Sequence, residues 1–239
     1  MNFIADTHTH TVGSTHAYST ILENARVAAD RGLKFLAITD HGPNDNDPPH
    51  IWHFHNMERS VDRELFGVKM LFGMEASITG ADGSLNIEAG EIMYLDWVIA
   101  SVHYPVEGNP SDYTGVYERV ADNPFVDVIG HCAQPYYPFN YDKILPIFCG
   151  KNKLVEINET QITHRHRSPE NRELLQKCME YNVPVIINSD AHFCNRVGEF
   201  FGSQKLLEEL NFPEELVVNS SEDRFIRYLK VRRKENLWR

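Results

Sequence analysis

Long apolar runs are missing from this 239-residue chain. None approaches the roughly 18 residues needed to cross a bilayer, and the N-terminus carries no basic-then-apolar signal pattern. The expectation is a soluble, cytoplasmic protein with no membrane partner. Positive charge is also scarce: 23 Lys and Arg against 34 Asp and Glu leave a formal net charge of -11. That balance argues against a surface that tracks the phosphates of duplex nucleic acid. It leaves room for a small anionic substrate, because bound cations reverse the local field inside a pocket. Cysteine is sparse and scattered, and Cys132, Cys149, Cys178 and Cys194 form no C-x-x-C pair. Reduced thiols are therefore expected, with neither a disulfide frame nor a cysteine zinc site. No linker-like break interrupts the sequence, so residues 1–239 read as a single domain, with 219–239 as a peripheral C-terminal helix.

Histidine is what the chain has in excess, with 12 copies, and most of them stand just after apolar runs. Short buried strands are expected at Met1 to Ile4, Phe35 to Ile38, Val68 to Met74, Trp97 to Ala100, Val126 to Gly130, Leu154 to Ile157 and Val183 to Ile187. Helix-like periodicity separates most of them: a helix capped by Ser19 and stopped at Gly32, another around Asn56 to Phe66, then 111–122, 143–151, 169–181, 199–210 and 222–234. Residues 43–54 read as a long loop, a packed cover carrying Trp52 and Phe54, and 77–88 as a β-hairpin insert turning at Asp82-Gly83. Strands alternating with helices mean parallel βαβ units, in a closed or nearly closed barrel or in an open doubly wound sheet; the ligand pattern favours the barrel, which gathers its chemistry at the C-terminal ends of its strands.

The residues at those ends are His8 and His10, His41, Glu75, His103, His131, and Asp190 with His192; His16 follows in the loop after the first strand. Imidazole and carboxylate are the usual nitrogen and oxygen ligands of divalent metals. Core packing absorbs one or two such histidines, but not the whole set at equivalent positions of a repeat. Nine side chains exceed the four that one tetrahedral ion takes, so two or three ions must share them, with Glu75 a candidate bridge. In a strand, Asp6 would project on the same side as His8 and His10.

These motifs, Asp6-x-His8-x-His10, Ser14-Thr15-His16, Thr39-Asp40-His41, Glu75, His103, His131 and Ser189-Asp190-Ala191-His192, resemble those of the PHP (polymerase and histidinol phosphatase) superfamily. Ser14-Thr15-His16-Ala17-Tyr18-Ser19-Thr20, Ala37-Ile38-Thr39-Asp40-His41-Gly42-Pro43 and Pro49-His50-x-Trp52-His53-Phe54 are similar to its stand-alone YcdX-like phosphatase branch. The resemblance implies a distorted (β/α)7 TIM-like barrel of the α/β class and three divalent metal ions, zinc with manganese or iron as alternatives. It implies three ligand sets: His8, His10, Glu75 and Asp190; Glu75, His103 and His131; and His16, His41 and His192.

The implied activity is hydrolysis of a small phosphorylated substrate, a phosphomonoester attacked by metal-activated hydroxide with no protein nucleophile. Glu75, Asp190 and His192 are the candidate catalytic residues. The alternatives are a phosphodiesterase or exonuclease acting on nucleotides or single-stranded ends, and a non-catalytic metal-binding module. Arg165, Arg167, Arg196, His50 and His53 are candidate substrate contacts, and Asp6 and Asp40 are candidate supports for ligand histidines. A homo-oligomer is left open.

Overall fold

The computed structural model describes residues 1–43 and 49–232. The strands are β1 (Ala5–Asp6), β2 (Phe35–Ile38), β3 (Glu64–Leu65), β4 (Val68–Ser77), β5 (Trp97–Ser101), β6 (Val128–Ile129), β7 (Leu154–Asn158) and β8 (Val185–Asn188). Seven of them form one parallel sheet in the order β1-β2-β4-β5-β6-β7-β8, with β3 antiparallel to β4 at its side. The helices are α1 (Ile21–Asp30), α2 (Ile51–Ser60), α3 (Ala89–Ile92), α4 (Thr114–Asp122), α5 (Tyr141–Gly150), α6 (Glu159–Thr163), α7 (Ser168–Glu180), α8 (Phe201–Glu209) and α9 (Glu222–Val231). The (β/α)7 barrel implied by the resemblance is what forms.

The curvature comes from stagger. β4 pairs its first half with β2 (Phe35 opposite Lys69) and its second half with β5 (Gly73 opposite Trp97), the offset that closing a sheet requires. Gly73 sits at the hand-over, where a Cβ would lie 2.2 Å from the Trp97 carbonyl oxygen, so glycine permits the approach. The seam between β1 and β8 carries no ladder. Asn188 Oδ1 accepts from the Thr7 amide (2.8 Å) and hydroxyl, and Thr9 bridges Ala191 above it. Below, Asn219 Nδ2 donates to the carbonyls of Ala5 and Ile187. Side-chain amides thus replace the missing strand pairing and nearly close the ring.

Alternation splits each strand between two cores. Phe35, Ala37, Leu71, Trp97, Ile99, Val128, Leu154 and Ile186 fill the barrel interior, while Leu36, Ile38, Met70, Val98 and Val155 face the surrounding helices. The interior is completed from below by α9, whose Phe225 and Leu229 are buried and whose Tyr228 stacks edge-on to Trp97. Arg232 ties the helix end to Asp127 at 3.0 Å. The C-terminal helix, expected to be peripheral, is therefore the floor of the barrel; its residues beyond 232 lie outside the described residues. Phe225→Ala removes a fully buried ring and should destabilise the protein by about 3–5 kcal/mol, read as a shift in the denaturation midpoint.

Several boundaries move. The first paired strand is Ala5–Asp6 rather than 1–4, because Ile4 already serves as the entry, its carbonyl accepting from Lys34 and Phe35. Thr20, not Ser19, caps α1 through a capping box with Glu23. The α2 helix starts at Ile51, inside the expected loop, and ends at Ser60; residues 44–48 of that loop lie outside the described residues. Its N-cap is His50, whose ring accepts from the Trp52 amide, a role that capping preferences do not flag for histidine. Phe54 packs inward as a cover would, but Trp52 is 68 % exposed.

Candidate metal centre

Every ligand-type residue read from the strand ends is brought to one end of the barrel. Glu75 lies at the centre, 1 % exposed, with its two oxygens facing different groups. Oε1 is 3.0 Å from His103 Nε2 and 2.8 Å from His131 Nε2. Oε2 is 3.1 Å from His41 Nδ1, 3.3 Å from His8 Nε2 and 3.6 Å from His10 Nε2. Asp190 Oδ1 approaches His10 Nε2 (3.2 Å), His8 Nε2 (3.4 Å) and His192 Nδ1 (3.6 Å). His16 stacks on His192 (4.5 Å between centroids) and on His41 (5.1 Å). Asp190 and His131 both adopt positive φ (56° and 23°), backbone strain of the kind that persists where surrounding contacts enforce it.

Among the described residues, three groups each bring their donor atoms within 4.8 Å of one another: His8, His10 and Glu75; His41, Glu75 and His103; and His10, His41 and His192. They overlap the sets implied by resemblance without coinciding with them, since His10 and His41 each stand between two groups. Buried nitrogens without partners test whether cations fit. His8 Nε2, both ring nitrogens of His10 and His41 Nε2 find no hydrogen bond among the described residues. Each orphaned buried donor or acceptor costs about 1–3 kcal/mol, so a cluster of them is stable only if something else satisfies it.

Electrostatics point the same way. Burial pushes the His10 pKa down to about 3, reinforced by His192 and His41, and so keeps the neutral, ligating form. Burial opposes a charge on His8, but Glu156, Glu75 and Asp190 outweigh it and raise its pKa well above the usual histidine value. Carboxylates that favour a proton at that nitrogen favour a metal cation in its place. Burial likewise works against the Glu75 and Asp190 carboxylates, yet the imidazoles around them hold both well below the usual range. The donor set fits divalent cations.

Glu156 escaped the reading of strand ends because it lies inside β7, two residues before Asn158, where this strand ends without a ligand-type residue. It is fully buried. Oε1 meets His8 Nδ1 at 2.7 Å and the Asn188 amide at 2.9 Å, and Oε2 accepts from the His131 backbone N–H at 2.8 Å and from Asn158 Nδ2 at 3.1 Å. The carboxylate aims His8 Nε2 at the cluster and fixes the bent backbone at His131. A lone carboxylate in Leu154-Val155-Glu156-Ile157 was the available signal, because charge in a buried strand needs a partner. His103 Nδ1 is oriented similarly by Ser77 Oγ (2.7 Å), and His131 Nδ1 by Gln134 (2.9 Å).

Other expected roles change. Asp6 bonds the Ser189 hydroxyl (2.5 Å) and the amides of Ser189 and Gly198, not a histidine ring. The ladder ends at Asp6, so strand alternation does not run on through His10. Burial pushes its pKa up to about 6 against those hydrogen bonds, and it anchors the segment that carries Asp190 and His192. Asp40 does not orient the His41 ring; it gathers Thr11, the Ser14 hydroxyl (2.8 Å) and His53 Nε2 (2.8 Å), tethering the loop to His16. His53 is thus committed to Asp40 and His50 to its helix cap, and neither lines the central cavity. Arg196 pairs with Glu199 at 2.9 Å and is also outside it. Arg165 and Arg167 do line it, with Tyr104, Tyr136, Gln134 and the cluster itself, around a space of about 420 Å³.

Comparison with known proteins agrees with this geometry. The PHP domain family model matches residues 6–160. The chain belongs to the PHP domain family. Among relatives of this PHP protein, a probable phosphatase of Clostridium novyi is 40 % identical over 238 residues, covering 98 % of this chain and 97 % of the relative. A probable phosphatase of Photobacterium profundum is 38 % identical over 239 residues, covering 98 % and 97 %. In structure, the PHP barrel is similar to histidinol phosphate phosphatase from Lactococcus lactis subsp. lactis, complexed with zinc, L-histidinol and phosphate. That likeness has a TM-score of 0.63 at 16 % identity, covering 87 % of this chain and 94 % of the other, and bears on the fold. Among the described residues, no helix is long and apolar enough to cross a membrane.

Proposed function

We propose that this PHP protein is a metal-dependent phosphatase that hydrolyses small phosphomonoesters at a three-ion site. The observation that carries the reading is the division of the Glu75 carboxylate between His103 and His131 on one oxygen and His8, His10 and His41 on the other. His8, His10, Glu75 and Asp190 would hold one divalent ion, Glu75, His103 and His131 a second, and His16, His41 and His192 a third. Zinc suits the imidazole-rich donors, and manganese or iron are the alternatives. Bound cations supply Lewis acidity, lowering the pKa of water and offsetting charge on phosphoryl oxygens.

The chain's own residues supply the rest. Glu75 and Asp190 keep the donor atoms apart and fix their directions from buried positions that solvent does not screen. His192 Nδ1 lies 3.1 Å from the Asp190 carbonyl oxygen, which leaves Nε2 as its free donor atom. Arg165 and Arg167 offer guanidinium forks to phosphate oxygens from the cavity wall. No Ser, Thr or Cys is among the described residues lining the cavity, in keeping with direct attack by water. The names of the relatives support phosphatase chemistry, and the cavity volume suits a small ester (pockets that enclose whole ligands run about 300–1,000 Å³).

Assay of the metal-loaded protein against monoesters and diesters tests the reading. Turnover of monoesters with release of inorganic phosphate is the expected result; cleavage of diesters or oligonucleotides alone overturns it. Glu156→Gln keeps the shape but removes the charge facing His8, and should weaken metal binding or activity about 10–100-fold, measured by metal titration.

A further inference from the structure

Resting on that phosphatase reading, we infer that the leaving group of the substrate is planar and carries no positive charge, as in a nucleoside or aryl-methyl phosphate. The phosphoryl group falls to the cations that the imidazoles, Glu75 and Asp190 would hold, with the Arg165 and Arg167 guanidiniums for its outer oxygens; the side chains that accompany those two arginines in the lining bear on the leaving group. The Arg165 amide bonds back to Thr160 and the Arg167 amide to Gln161, so one turn after α6 delivers both side chains to the same wall. Arg167 lies against Tyr136, its guanidinium carbon 5.3 Å from the ring centroid, and is held from behind by Glu170 at 3.5 Å. Tyr136 is nonetheless 72 % exposed while lining the cavity, so much of its ring is left uncovered beside the guanidinium. Tyr104, half exposed, completes the aromatic rim. An uncovered tyrosine ring beside the reacting centre is a stacking platform that accepts any π-surface without reading its edge.

Charge decides what kind of planar group. The carboxylates lining the cavity, among the described residues, are Glu75 and Asp190, and both are engaged by imidazoles. Arg165 has no carboxylate within ion-pair reach among the described residues. An ammonium on the leaving group would meet two guanidiniums and no free acid, whereas a neutral ring or one bearing a further anion would not be opposed.

The test uses pairs of primary-alcohol phosphates, so that leaving-group reactivity is matched. Adenosine 5′-monophosphate is compared with ribose 5-phosphate, which lacks only the base, and benzyl phosphate with L-histidinol phosphate, which has a ring and an amine. The metal-loaded protein should show a kcat/KM at least tenfold higher for the first of each pair, the difference residing in KM; tenfold corresponds to about 1.4 kcal/mol. Tyr136→Ala should raise the KM for adenosine monophosphate about tenfold more than that for ribose 5-phosphate, and Tyr136→Phe should restore the preference. Equal turnover within both pairs, a preference for the amine, or a Tyr136→Ala loss spread evenly over all four esters overturns the inference while leaving the phosphatase reading intact. No turnover of any ester removes both.

Discussion

Glu75→Gln should lower turnover of phosphomonoesters by at least about three orders of magnitude, since loss of cationic charge stabilisation is worth several kcal/mol and about 1.4 kcal/mol is one decade of rate. If the proposed three-ion site holds, metal content should fall with it to about one ion per chain, because a single side chain faces two groups of donors. Glutamine fills the same volume, so the barrel should keep its circular dichroism. What it cannot do is offer an anionic oxygen to His103 and His131 on one side and another to His8, His10 and His41 on the other. Full metal content and turnover in this variant would mean that the carboxylate does not bridge. The effect should exceed that of Glu156→Gln, whose carboxylate acts only by holding His8 and the His131 backbone.

Removing the metal should cost stability as well as activity. A ligand present at a thousand times its dissociation constant stabilises the native state by about 4.1 kcal/mol. For a chain of this size each kcal/mol moves Tm by roughly 2–4 °C, so chelation should lower Tm by roughly 8–16 °C. Readdition of zinc should restore it. The physical source is local: the His8, His10 and His41 nitrogens that find no hydrogen bond are buried beside carboxylates, an arrangement that a cation completes. A melting curve indifferent to chelator, in protein proven free of metal by elemental analysis, would show that hydrogen bonds alone stabilise this cluster.

How far the residues themselves announced this arrangement depends on the range of the force involved. The parallel strands were legible because each is a short apolar run, and their ends were legible because imidazoles recur there. Glu75, His103 and His131 could be placed at one end of the barrel from position in the repeat, while their grouping was implied by the family resemblance. Glu156 could not, because its partners His8 and His131 follow β1 and β6 and Asn188 ends β8, and only the closed ring brings them within hydrogen-bond reach. His50 and His53 were misread for a related reason. Polar residues beside a ligand motif look like substrate contacts, but a local cap claims one and Asp40, from the loop after β2, claims the other. The burial of α9 was not legible locally; the apolar stripe of Phe225, Tyr228 and Leu229 needed the open floor of a barrel to give it meaning.

That floor has a consequence for synthesis on the ribosome. The segments that seal the barrel, Asn219 across the seam and α9 beneath it, emerge after every strand and every ligand-type residue of the cluster. A nascent chain can therefore assemble its ligand strands while Phe35, Trp97 and Leu154 still face water from below. Until the last helix docks, the newborn protein carries its exposed apolar surface at the pole opposite its chemistry, and that pole is where chaperones would hold it and where early aggregation would begin.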